Sequence, residues 1–231
     1  MCGRYRLSQR KQIIEEHFDS VSGDEDWSPR YNIAPTQPIP VIRQNPKEPV
    51  RELSLIRWGP HPLWAKDSSV AAQMINARSE TAATKPAFRD ALKSRRCLIP
   101  ADGFYEWART GKAKQPYCFE VNDGELFAFA GLWDRWKDPS GNWIKACSIL
   151  TTTPNAVTSA VHDRMPVILD PDSYDLWLDP GKPKHLQKCV GIPLLCLICR
   201  IRWFSLIGTT WVTVSRRRLA LCLNQQDSPF P

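Results

Sequence analysis

Short apolar runs broken by turn residues, not long amphipathic stretches, set the pattern of this chain. Ser8 is placed to cap a helix running to about Phe18, with Ile13, Ile14, His17 and Phe18 forming one apolar face. An acidic loop, Gly23-Asp24-Glu25-Asp26, follows. Pro38 to Arg43 and Glu52 to Trp58 then read as strands around the turn Asn45-Pro46-Lys47. Ser79 to Ala83 reads as a helical turn, and Pro86 to Leu92 as a helix with proline in its first turn.

Beyond that point the pattern is mainly β. Cys97 to Pro100, Gly103 to Trp107 and Tyr117 to Val121 are short apolar strands. Asn122-Asp123-Gly124 is a hairpin signal leading into Leu126 to Trp133. The turn Asp138-Pro139-Ser140-Gly141 precedes a strand from Trp143 to about Thr152, and Pro154 to Val161 and Asp172 to Leu178 read as short helices. These elements predict an α+β fold, mainly antiparallel, with short helices outside the sheet.

Composition narrows the class. At 231 residues, with 42% hydrophobic and 24% charged side chains, the chain has the make-up of a globular protein, not of a disordered, collagen-like or multi-span one. Its longest apolar run, Ile192 to Ile201, is interrupted by Pro193 and Arg200 and is too short to span a bilayer, so no membrane partner is expected. The ten tryptophans are a surplus whose rings must be buried or used for stacking.

The net charge of +7 is unevenly spread. Residues 1–180 hold 23 Lys/Arg and 23 Asp/Glu, whereas residues 181–231 hold eight Lys/Arg and one acid, Asp227. The basic excess therefore belongs to the tail and is no evidence for a basic groove on the main domain. The chain divides accordingly into a domain over residues 1–180 and an atypical Cys/Leu-rich basic tail over 181–231, which begins at Asp179-Pro180-Gly181-Lys182-Pro183. The tail reads either as a final buried strand pair with a basic exit or, from about 181 to 210, as the product of a shifted reading frame. Cys2, Cys97, Cys118 and Cys147 are too widely spaced to suggest a disulfide framework, and no secretory signal opens the chain, so a reducing cytoplasm is expected.

Cys2 is the most informative position for chemistry. Removal of Met1 leaves a cysteine whose α-amine and thiol both carry reactive lone pairs near neutrality. Such a 1,2-aminothiol condenses with an aldehyde: the amine forms an imine and the sulfur closes a thiazolidine ring. Three other blocks bear on it. In Ile75-Asn76-Ala77-Arg78, an extended backbone points the amide and the guanidinium to one face. Phe104-Tyr105-Glu106-Trp107 sets a carboxylate among aromatics, where burial raises its pKa and suits it to acid–base work. His162-Asp163-Arg164 supplies a second proton carrier beside an arginine that could hold a phosphate. Each has a plainer reading alone: Asn76 as a turn cap, Glu106 as the partner of an arginine, His162 as a satisfied loop histidine. Together they supply a nucleophile, an amide donor, an acid/base and a second proton carrier. Cys196-Leu197-Ile198-Cys199 has CxxC spacing but apolar filling and no second pair, so no metal is expected; no dinucleotide or phosphate-loop motif calls for a cofactor.

The order and content of these blocks resemble the SOS-response-associated peptidase (SRAP) family. The resemblance rests on Met1-Cys2-Gly3-Arg4-Tyr5, Arg30-Tyr31-Asn32-Ile33-Ala34-Pro35, Trp58-Gly59, Ile75 to Thr81, Cys97 to Trp107 and His162 to Pro166, and runs to about residue 178. It implies a barrel-like β core and a monomeric sensor of abasic sites in single-stranded DNA, acting in the DNA damage response. It further implies that Cys2 forms the thiazolidine crosslink, Asn76 positions the reactive terminus, Glu106 acts as acid/base around the imine and His162 assists opening of the sugar. Arg4, Arg78 and Arg164 fall where the family grips phosphates, and Trp64, Trp107 and Asn32 lie near the DNA. The alternatives are a thiol (auto)peptidase built on Cys2 and a non-covalent single-strand binding module. The tail departs from the family pattern, with Trp211-Val212-Thr213-Val214-Ser215 only a faint echo of it.

Overall fold

The computed structural model describes residues 2–23, 26–59, 74–110, 113–137, 140–181, 200–204 and 211–215. Among them, the strands are β1 (Arg4–Leu7), β2 (Ser20–Ser22), β3 (Arg30–Ile33), β4 (Pro38–Gln44), β5 (Arg51–Trp58), β6 (Asn76–Arg78), β7 (Arg96–Ala101), β8 (Gly103–Thr110), β9 (Ala113–Glu120), β10 (Phe127–Lys137), β11 (Trp143–Thr152), β12 (Met165–Pro166), β13 (Ile168–Leu169), β14 (Arg200–Phe204) and β15 (Trp211–Ser215). The helices are short: α1 (Lys11–Phe18), α2 (Ser79–Ala82), α3 (Arg89–Ser94) and α4 (Tyr174–Leu178). The fold is α+β, as the alternation of short runs predicts.

One sheet follows the order β12-β11-β10-β7-β4-β5-β2 and closes on itself where β5 meets β11. That closing pair is parallel, with Ala146 opposite Arg57 and Cys147 opposite Trp58, in a sheet whose other long pairings are antiparallel. A closed barrel results, and β7, with every residue buried, lies in its wall. Gly131 of β10 faces Cys97 of β7, where a Cβ would stand 2.7 Å from the Cys97 sulfur and 2.8 Å from Ile99 Cδ1, so a larger residue there would force the wall apart. The second sheet, β15-β14-β9-β8-β1-β3, packs against the barrel. The join is aromatic: Tyr5 meets Trp58 and Phe129 edge-on at 5.5 and 5.7 Å, Phe104 stacks on Phe119 at 5.0 Å and meets Phe129 edge-on at 6.0 Å. Such geometry adds about 0.5–1.5 kcal/mol per pair beyond area burial.

Local grammar is met where turn and pairing are both local. β4 and β5 pair around Asn45-Pro46-Lys47, and β10 and β11 around residues 138–142. Asn122-Asp123-Gly124 does turn, with φ values of 40°, 67° and 96° and the Gly124 amide donating to Val121 O at 2.8 Å. It does not make a hairpin, because β9 pairs with β8 and β14 while β10 belongs to the barrel. The turn carries the chain from one sheet to the other; its residues specify the bend, and partners elsewhere specify the pairing. Ser8 likewise does not cap α1, which starts after Arg10. Its amide and hydroxyl both donate to the Asp102 carboxylate, at 2.6 and 2.7 Å, a stronger, charged acceptor. The helix expected from Pro86 begins at Arg89, and Pro154 to Val161 holds only a 3₁₀ turn, Thr158–Ala160. Of the tail, β14 pairs with Tyr117 to Glu120 of β9 and then with β15; the Cys196–Cys199 pair lies outside the described residues.

Candidate active site around Cys2

Cys2 lies just ahead of β1 and is fully buried. β1 runs antiparallel to β8, with Arg4 opposite Tyr105 and Tyr5 opposite Phe104, which brings Cys2 beside the strand that carries Glu106. Alternation along β8 turns Phe104 and Glu106 inward and leaves Tyr105 and Trp107 half-buried on the other face. Glu106 therefore enters the interior although it is charged, and is only 2% exposed.

Asn76 arrives from the opposite wall. β6 pairs in parallel with β11, Asn76 opposite Ile149, and the Trp58 indole and Ser148 hydroxyl tie down Ile75 O and Met74 O at 3.0 and 2.6 Å. So held, Asn76 Nδ2 donates to the Cys2 carbonyl at 2.9 Å, fixing the backbone of that residue. Its Oδ1 is buried without a hydrogen-bond partner, an acceptor left for a donor not among the described groups.

His162 is supplied by the loop between β11 and β12. Asn155 Oδ1 accepts from the amides of Val157 and Thr158, and the His162 amide donates to Thr158 O at 2.9 Å, which sets the loop's shape. His162 Nε2 then stands 3.9 Å from Glu106 Oε2. On the other side of the ring, the Arg164 amide donates to Nδ1 at 3.0 Å and Asp163 Oδ1 lies 2.8 Å from the same atom.

The electrostatics follow from burial. Loss of water pushes the Glu106 carboxyl up, while the chain's amino terminus and His162 draw it down. Burial also pushes the Cys2 thiol up and the negative charge of Glu106 adds to this; the amino terminus and a backbone hydrogen bond from Arg4 oppose it. The resting thiol is thus protonated, and burial makes the Glu106 carboxyl hold its proton more tightly than an exposed one does.

The structure brings Cys2, Asn76, Glu106 and His162 together. The other residues singled out in the sequence are disposed around them or elsewhere. Arg78 is exposed at the end of β6, Arg4 is half-buried with Nη1 donating to Gly3 O at 2.9 Å, and Asn32 is exposed on β3. Arg164 does not stand open: its guanidinium makes a two-pronged contact with Glu80 at 2.7 and 2.9 Å and donates to Thr151 O at 2.7 Å. Trp64 lies outside the described residues. Glu80, Thr151 and Asp163 were not singled out in the sequence, although Glu80 and Asp163 stand inside its motif blocks. Among the described residues there is no cluster of three or more metal-ligating side chains, and the cysteines at 2, 97, 118 and 147 are buried and form no disulfide.

A family model described as "SOS response associated peptidase (SRAP)" matches residues 1–194. The chain belongs to the SRAP family. It is 44% identical over 193 residues to the abasic site processing protein YoqW of Bacillus subtilis, covering 81% of this chain and 85% of that one. It is 32% identical to the abasic site processing protein HMCES of Xenopus tropicalis, across 69% of this chain and 57% of the relative. A crystal structure of a protein from Bordetella bronchiseptica superposes with a TM-score of 0.72 at 28% identity, covering 89% of this chain and all of that one.

Proposed function

We propose that the protein processes abasic sites in single-stranded DNA by forming a covalent thiazolidine through Cys2. The observation that carries this reading is the Asn76 hydrogen bond to the Cys2 carbonyl, which fixes the residue beside a buried Glu106 whose hold on a proton is strengthened by burial, with His162 behind it. An abasic site is a DNA lesion that presents an aldehyde once its sugar ring opens. After removal of Met1, the Cys2 amine adds to that carbonyl, and Glu106 gives a proton to the departing hydroxyl, which leaves as water. The sulfur then adds to the carbon of the iminium so formed, and the thiol proton returns to Glu106; one water is lost overall. Arg4 and Arg78 would meet phosphates flanking the lesion, and Arg164 would do so on giving up its contact with Glu80, while Trp107 would offer a stacking face and Asn32 lies on the neighbouring strand.

The buried thiol bears on the rival thiol-peptidase reading. There the thiolate is the first nucleophile, and burial works against it. In the condensation the amine acts first and the sulfur attacks an activated iminium, to which a thiol adds as its proton moves to the carboxylate that Glu106 has become.

The test is an oligonucleotide with one abasic site, incubated with protein whose Met1 has been removed. A heat-stable adduct is expected, lost in Cys2→Ala and in a form with an uncleavable residue ahead of Cys2. An undiminished adduct from the blocked form would overturn the aminothiol mechanism.

A further inference from the structure

His162 Nδ1 is claimed by two groups that want opposite things from it. The Arg164 amide at 3.0 Å needs a lone pair there; the Asp163 carboxylate at 2.8 Å needs a proton. One ring nitrogen cannot serve both at once. If the amide prevails, the neutral ring carries its proton on Nε2, the atom facing Glu106, and Nε2 has no lone pair to accept another. If Asp163 prevails, Nδ1 is protonated and Nε2 of the neutral ring is a base. The contact at Nδ1 therefore decides what Nε2 can do in the site. Among the described residues, the charged groups facing the ring are Glu106 from β8 and Asp163 from its own loop; Arg164 presents its backbone amide there and turns its guanidinium to Glu80.

We propose that Asp163 is a positioning residue that sets the tautomer of His162, drawing the ring proton to Nδ1 so that Nε2 can exchange a proton with the sugar. The proposal rests on the abasic-site reading above. Opening the cyclic sugar is an isomerisation. The anomeric hydroxyl gives up its proton, the bond from that carbon to the ring oxygen breaks with its electron pair going to oxygen, and the ring oxygen gains a proton. A histidine with a lone pair at Nε2 takes the first proton, and the resulting imidazolium, its Nδ1–H held by Asp163, can return one to the ring oxygen. Without Asp163 the Arg164 amide holds the ring in the form that can do neither. Asp163 is 87% exposed, so its carboxylate is free to engage and release the ring as the proton moves.

Asp163→Ala and Asp163→Asn, with Asp163→Glu as the conservative variant, test this on two oligonucleotides. One carries an abasic site; the other carries an acyclic aliphatic aldehyde that has no ring to open. Slowing of the abasic reaction by at least about tenfold is expected, a part of the 10²–10⁴ that an acid–base group contributes. The acyclic substrate should react at the wild-type rate, and Asp163→Glu should restore the abasic rate. Nitrogen NMR of His162 should show the proton shifting from Nδ1 to Nε2 in the Ala and Asn variants. An unchanged His162 spectrum, an unchanged abasic rate or equal slowing on both substrates would overturn the proposal. Wild-type protein that reacts with neither substrate would instead sink the crosslinking reading, and the NMR comparison would still decide the role of Asp163.

Discussion

Asp102 and Glu106 are two buried carboxylates on the same short stretch of chain, and they are treated in opposite ways. Asp102, fully buried at the start of β8, accepts from the Ser8 amide and hydroxyl and from Arg6 Nε at 2.6–2.7 Å. Arg6 in turn reaches Glu120 at 2.7 Å, so one guanidinium serves two buried carboxylates. Glu106 has His162 at 3.9 Å and the chain's amino terminus, and burial raises its pKa. Where backbone and guanidinium donors converge, a buried carboxylate holds two sheet strands together. Where the neighbours are a histidine and the chain's amino terminus, burial makes the carboxyl hold its proton more tightly than an exposed one does.

The largest effect that would sharpen this contrast is on stability at Asp102. Asp102→Ala leaves the Ser8 amide, the Ser8 hydroxyl and Arg6 Nε without their acceptor and should cost about 3–5 kcal/mol in urea unfolding, while the folded fraction still crosslinks abasic DNA. Stability close to wild type would break the comparison. Next comes Glu106→Gln, which should slow crosslinking by about 10²-fold or more with little loss of stability. Its pH dependence gives the sign. Folded Glu106 binds its proton more tightly than the unfolded chain does, so wild-type stability falls as pH rises from the ordinary carboxylate range through the raised value. Glu106→Gln should remove that downward slope. The smallest effect is at the rim, where the Arg164 guanidinium holds the Glu80 carboxyl below its usual range. That pair stabilises the fold above the unfolded pKa, and the contribution is lost as pH falls through the lowered one. With Glu80 44% exposed, Glu80→Gln should cost less than about 1 kcal/mol by thermal unfolding near neutral pH.

Much of this was legible in the chain. The β4–β5 hairpin follows from two apolar runs around Asn45-Pro46-Lys47, and the residues of the site stand out because cysteine, amide, carboxylate and histidine occur in separate, chemically coherent blocks. The closure of the barrel was not legible, because the parallel contact of Arg57 and Trp58 with Ala146 and Cys147 leaves no local signature in either strand. The same holds for the Asp102 cluster, whose Arg6 and Asp102 are 96 positions apart. Asn122-Asp123-Gly124 marks the boundary between the two cases: its residues dictate the bend, but the neighbours of β9 and β10 decide which sheet each strand joins. The double claim on His162 Nδ1 was equally silent, since it depends on the loop shape that Asn155 and Thr158 impose.

Pairing of β6 with β11 has a consequence for synthesis. Cysteine 2 leaves the ribosome long before the segments that seat Asn76 against Ile149 and bring in His162. Until those segments emerge, the nascent terminus is an ordinary flexible end with no amide to orient it and no carboxyl beside it. On the proposed mechanism its full reactivity would be switched on by the last third of the domain, and a truncated product would carry the warhead without the trigger.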